Sequence, residues 1–222
     1  RRGWRAIQAT ALRYRGMALG KSGDLMGADA TLRQALDAAE RAELPGEMAA
    51  SRMHLATLAR MRGERDVAHA LLLSAREGFD AAGDTLRLAE CLTELAGLHV
   101  TLGDPEEGAA RARDAADMYA TAGNRTGEGL TRNTLGDALR RLGQPTAARQ
   151  AFEEAQTLLR RTGSHARVFP QLNLALLDLD EGHADVATGT LDDVLLTATR
   201  LGDRVVQAYG TVFLAAAKGQ LG

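Results

Sequence analysis

A glycine followed by a polar residue returns along this chain at nearly equal intervals: Gly23-Asp24, Gly63-Glu64, Gly103-Asp104, Gly143-Gln144, Gly182-His183 and Gly219-Gln220. The steps, by subtraction of the glycine numbers, are 40, 40, 40, 39 and 37 residues. A second series runs out of phase with the first, at Pro45-Gly46, Gly83-Asp84, Gly123-Asn124, Gly163-Ser164 and Gly202-Asp203. Equal spacing at successive turns marks a repeat architecture, in which a single unit cannot bury its apolar face alone and stacks on its neighbours. Two turns per period imply two elements per period. An ordinary bundle has no need of such regularity.

The elements between the turns read as helices. Leu135, Leu139 and Leu142 fall at three- and four-residue steps, and so do Ala148, Phe152, Ala155 and Leu159 after the turn, so each element carries one buried stripe. No strand-like alternation occurs. Each turn has matching chemistry: a glycine free to take the left-handed conformation ends one helix, and the polar residue after it caps the next. In "GDPEE", residues 103–107, we expect Asp104 as N-cap, Pro105 at the first helical position and Glu107 reaching back as a capping box. Aromatic residues are only 4% of the chain while Ala and Leu dominate, so the core must come from close helix contact over small side chains.

Charge and cysteine usage narrow the function classes. With 27 Lys plus Arg against 29 Asp plus Glu, the net charge of −2 offers no field for nucleic acid or an anionic membrane, and neither is expected as a partner. The lone cysteine, Cys91, has no intrachain partner, and no apolar run approaches the roughly 18 residues of a membrane span, so a reducing, cytoplasmic compartment is expected. The chain opens "RRGWRAIQ" without Met and closes "AAAKGQLG", which reads as a piece of a longer protein.

Aligning the units on their glycines brings small residues into register. Gly16, Ala56, Ala96, Gly136 and Ala175 fall in the first helices, and Ala28, Ala68, Gly108, Ala148 and Ala187 fall early in the second. Ala35, Ala75, Ala115 and Ala155 follow seven residues later. The pattern resembles the tetratricopeptide repeat, with Leu135-Gly136 in the first helix and Ala148, Phe152 and Ala155 in the second as its matching positions. The resemblance implies an all-α, right-handed α-solenoid of about five helix-turn-helix repeats, near residues 4–43, 44–82, 84–122, 124–162 and 164–201. A terminal helix at 203–218 would complete a single domain over 1–222. The period near 40 exceeds the usual value of about 34, as in long-repeat variants of bacterial regulators. Arg15, Asp178 and Val194 depart from the expected apolar or small residues.

In this family the first helices line a concave groove, which implies a set of ligand-facing positions. These are Arg13, Met17 and Lys21; Met53, Thr57 and Arg60; Glu90, Thr93, Gly97 and Val100; Asn133, Asp137 and Arg140; and Leu172, Leu176 and Leu179. The carboxylate clamp of Lys and Asn found in some relatives is not expected, because Met17 stands where an Asn is needed. Asn133, with Asp137 and Arg140, is the better candidate for a peptide-backbone contact, since one amide both donates and accepts. Leu172, Leu176 and Leu179 with Phe169, Tyr209 and Phe213 form an apolar stripe, read either as a partner or self-association surface or as the seat of a flanking domain.

Chemistry-bearing patterns are weak. His54, His69, His99, His165 and His183 show no metal-ligand spacing, and Cys91 has no companion ligand, so no metal or cofactor is expected. "GNRTGEG" at 123–129 lacks the Gly-Lys-Ser/Thr ending of a phosphate loop, and no serine sits in a nucleophile elbow. The expectation is therefore a non-enzymatic protein- or peptide-binding module, the scaffold or sensor part of a larger bacterial signalling or transcription regulator. The alternatives are a quorum-sensing-type receptor for a short signalling peptide and a structural oligomerisation module.

Overall fold

The computed structural model describes residues 2–221, with side-chain environments from Trp4 onward. Arg1 and Gly222, the ends of the expected domain, lie outside the described residues. The elements are α1 (Arg2–Lys21), α2 (Leu25–Arg41), α3 (Pro45–Met61), α4 (Arg65–Ala81), α5 (Thr85–Leu102), α6 (Pro105–Thr121), α7 (Arg125–Arg141) and α8 (Pro145–Arg161). A short 3-10 turn at His165–Arg167 leads into α9 (Val168–Asp180), followed by α10 (Ala184–Leu201) and α11 (Arg204–Leu221). Helices follow one another as antiparallel neighbours, and no strand occurs among the described residues. Two compact units result, one running to Leu98 and one from His99, with the division inside α5.

Every turn between consecutive helices is built the same way. A backbone N–H just past the helix donates to the carbonyl five residues earlier, as in Asp24 to Leu19, Asp84 to Phe79, Asn124 to Tyr119 and Gln144 to Leu139, the six-to-one bond of a Schellman motif. The residue before the donor must then be left-handed, and Gly23, Gly63, Gly83, Gly103, Gly123, Gly143, Gly163, Gly182 and Gly202 all are. The turn from α2 to α3 makes the same bond, Leu44 N–H to the Ala39 carbonyl at 3.0 Å, but its left-handed residue is Glu43, at φ 53°, and not a glycine. Pro45-Gly46, expected as that turn, is instead the start of α3. Gly219-Gln220, expected as the last turn of the first series, lies within α11.

The caps depend on side-chain length. Asp24, Asp84, Asn124 and Asp203 accept from the backbone N–H three residues on, at 2.9, 3.1, 3.0 and 3.0 Å. Glu64, Gln144 and His183 stand at the same place and make no side-chain cap. Asp104 caps Glu107 N–H at 3.3 Å with Pro105 at the first helical position, but the reciprocal half of the expected capping box is absent. The Asp104 N–H is already given to the His99 carbonyl, and Glu107 pairs with Arg111 one turn on.

Small residues set the helix spacing within each unit. In the first unit Ala28, Ala35, Ala56, Ala68, Ala75 and Ala96 are buried, and Ala28, Leu32, Leu55 and Leu58 form a core cluster. In the second, Ala115, Ala148, Ala155, Ala175 and Ala187 are buried, as are Phe152 and Leu159, and Ala175 and Ala187 share a cluster with Leu172, Leu191 and Val194. A side chain on Gly136 would overlap the Phe152 ring, so that glycine is a packing device. The expected irregularities are absorbed: Val194 is a core residue beside Leu191 and Ala198, and buried Asp178 is held by Arg149.

Candidate functional site

The first helices of the first unit bring together α1, α3 and the start of α5. Arg13 is 5% exposed; its Nε donates to Glu47 Oε2 at 2.9 Å and its guanidinium lies 4.5 Å from the Tyr14 ring centre. Burial works against that charge, but the hydrogen bond and attraction of Glu47 hold the guanidinium more firmly protonated than usual. Arg87 of α5 reaches Glu47 from the other side, at 3.7 Å, and Arg60 pairs with Glu94 at 3.1 Å. Met53 is 4% exposed and belongs to the core, and the Thr93 hydroxyl donates to the Ala89 carbonyl at 2.9 Å. Glu90 meets solvent yet is crowded by protein, and this crowding, together with the Glu94 charge, raises its carboxyl above the usual range.

Between α1, α2 and α3 of this unit lies a cavity of about 220 Å³. Met17 and Thr57, both expected on a ligand-facing surface, line it with Lys21, Leu32, His54 and Met61. Burial first, then the charges of Arg13 and Arg87, push the His54 imidazole down to about 4, so it is neutral at pH 7. Cys91 is buried and its thiol donates to the Leu72 carbonyl at 3.3 Å; burial pushes it up to about 12, which leaves no reactive thiolate.

In the second unit the first-helix polar residues bond one another. Asn173 of α9 donates its side-chain amide to Asn133 Oδ1 of α7 at 2.9 Å. Whichever amide donates, the pair leaves one whole NH2 group, one further N–H and one carbonyl free. Arg140 bridges Asp137 at 3.1 Å on its own helix and Asp180 of α9 at 2.9 Å, and Arg141 also reaches Asp137, at 3.3 Å. Val100, expected to face a ligand, is 2% exposed; nothing stands over Gly97 in the first unit.

The expected apolar stripe divides. Leu172 and Leu179 are 6% and 7% exposed and pack in the core with Leu191 and Val206, so they present no surface; Leu176 is half-buried. Phe213 packs on that core, whereas Tyr209, 6.3 Å from it ring to ring, is exposed with Val205 and Val212 on the outer side of α11. Sequence reasoning missed the partners Glu47, Asn173 and Asp180. Spacing held a signal for two of them, since Asn173 and Asp180 lie 40 residues beyond Asn133 and Arg140. It also missed a convergence of Asp178, Glu181 and His183, whose ligand atoms lie within 4.8 Å of one another. Arg149 already donates to both carboxylates, at 2.6 Å each.

No protein-family model and no curated protein matches the sequence. Solved structures do resemble the fold. A Rap protein complexed with Competence and Sporulation Factor superposes at a TM-score of 0.80, with 17% identity over 93% of this chain and 57% of that one. The Rap conjugation gene regulator of the plasmid pLS20, in complex with the Phr* peptide, gives 0.76 with 15% identity over 95% and 60%. A putative kinesin light chain of TPR-like repeats from Podosopora anserina gives 0.66 with 18% identity over 88% and 96%. This chain therefore spans little more than half the length of these two Rap structures. The fold is a helical repeat of the tetratricopeptide type.

Proposed function

We propose that the chain is a protein- or peptide-binding repeat module, the scaffold or sensor part of a larger bacterial signalling or transcription regulator, and not an enzyme. The observation that carries this reading is the Asn133–Asn173 pair. It lies on adjacent first helices and leaves the Asn133 NH2 group and the Asn173 carbonyl unspent, a donor and an acceptor group for the C=O and N–H of a peptide unit. Arg140, by contrast, is committed to Asp137 and Asp180 and serves to hold α7 against α9. A receptor for a short linear peptide is the favoured form of the reading, because two Rap structures of like fold are complexes with Competence and Sporulation Factor and with the Phr* peptide. The exposed Val205, Tyr209 and Val212 support self-association as a second, separate role.

The test is selection of linear peptides from a displayed random library on the whole chain, followed by small-angle scattering with the selected sequences. Repeat stacks deform by small changes between neighbours, so a bound peptide is expected to reduce the radius of gyration. Failure to select any peptide, with unchanged scattering, would count against the reading.

A further inference from the structure

The cavity of the first unit is not explained by a peptide held at Asn133 and Asn173, and its lining has a chemistry of its own. Its apolar walls come from three helices, with Leu32 and Leu58 as floor and Met17 and Met61 as deformable sides. It is open because Gly20 lacks a side chain where Arg60 and Arg140 stand one and three periods of 40 later. Lys21 lines the mouth, is exposed, and has no ion-pair or hydrogen-bond partner among the described residues.

Two polar residues, Thr57 and His54, also line an otherwise apolar wall. The Thr57 hydroxyl donates to the Met53 carbonyl at 3.3 Å, which leaves its oxygen able to accept. The His54 imidazole is neutral, with one donor and one acceptor, and the charged groups acting on it are Arg13, Arg87, Lys21 and, with opposite sign, Glu47. Arg13 and Arg87 both spend charge on Glu47. Among the residues that line the cavity Lys21 is the one formally charged group, it is uncommitted, and its ammonium disfavours a cationic ligand. A phosphate calls for several donors, and an apolar wall with one ammonium does not supply them.

Size sets the remaining limit. A dry apolar cavity of about 150 Å³ holds a benzene molecule, so about 220 Å³ holds a body of roughly six to eight carbons. We propose that this cavity is a site for a small amphiphilic carboxylate, an aliphatic or aromatic acid of that size taken up as a free molecule, with its apolar body between Met17, Leu58 and Met61 and its carboxylate on Lys21. The site is independent of the peptide reading, since it uses none of the same residues.

Calorimetry and ligand-observed NMR on the whole chain test it, with hexanoate, octanoate and phenylacetate as probes, each beside its primary amide. At least one acid is expected to bind, and its amide about tenfold more weakly, the worth of one charge-assisted hydrogen bond. Lys21→Gln, at an exposed position, is expected to erase the difference between acid and amide. Gly20→Leu fills the cavity and is expected to abolish binding, with circular dichroism reporting an intact fold. If that variant misfolds, Lys21→Gln decides alone. Absence of binding by all three acids, equal affinity of acid and amide, or an unchanged affinity in Lys21→Gln would overturn the proposal. So would binding only by peptides ending in an aliphatic residue.

Discussion

Helices α1 and α7 carry the same repeat position with opposite results. Arg13, Met17, Gly20 and Lys21 on α1 stand 120 residues, three periods of 40, before Asn133, Asp137, Arg140 and Arg141 on α7. On α7 the three charged positions answer one another, and Arg140 and Asn133 reach across to α9. On α1 the place of Arg140 is a glycine and the place of Asp137 is a methionine, so a cavity opens and Lys21 is left without a partner. One backbone pattern thus yields an ion-paired polar face in the second unit and an apolar hollow in the first. The difference lies in a handful of side chains that the fold does not require.

Acid is expected to separate the two units most strongly. His54 is held near 4 in the folded first unit against about 6.5 in an unfolded chain, so between those values the unfolded state binds more protons. Stability is then full above about pH 6.5 and falls as pH drops toward 4, by on the order of 2–3 kcal/mol. Urea unfolding between pH 7 and 4.5, followed by hydrogen exchange, should show the first unit losing protection while His54→Gln loses little. An identical acid response in that variant would remove His54 from the account.

Packing gives the next effect. Gly136→Ala drives a methyl group into the Phe152 ring, and overpacking of this kind costs about 2 kcal/mol. Denaturant titration should show that loss in the second unit. Gly97, one period before Asp137, has open space above it.

How much of this was legible in the sequence depended on how local the cause was. The turns could be read because a left-handed residue is needed after each helix and glycine supplies it; the α2–α3 turn was misplaced because Glu43 takes that conformation unaided. Asn133 and Arg140 could be placed on a first-helix face from the resemblance to the repeat family and the alignment on the glycines. Their partners were missed because alignment on the glycines, one residue short in the last repeat, sets Leu172, 39 residues on, opposite Asn133, whereas the amide that reaches it is the next residue, Asn173. Leu172 was assigned to a ligand surface for the same reason, and the packing of α9 on α10 and α11 turns it into the core. The cavity is an absence of side chain at Gly20, which a motif search does not register.

Two smaller effects sharpen the contrast between required and dispensable glycines. Glu43→Gly relieves a left-handed non-glycine residue and is expected to stabilise the first unit by about 1 kcal/mol, read as a higher denaturation midpoint at unchanged slope. Gly97→Ala is expected to add about 0.5–1 kcal/mol, because the helix gains propensity and the methyl meets nothing. A loss there would mean that the surface above Gly97 is occupied.

The most direct measurement is a double-mutant cycle at Asn133 and Asn173, read by calorimetry against a peptide selected on the wild-type chain. If the pair brackets one peptide unit, Asn133→Ala and Asn173→Ala each weaken binding about tenfold, helicity is unchanged, and the double variant loses little more than either alone. Affinity unchanged in both single variants would contradict the assignment of this face to peptide binding.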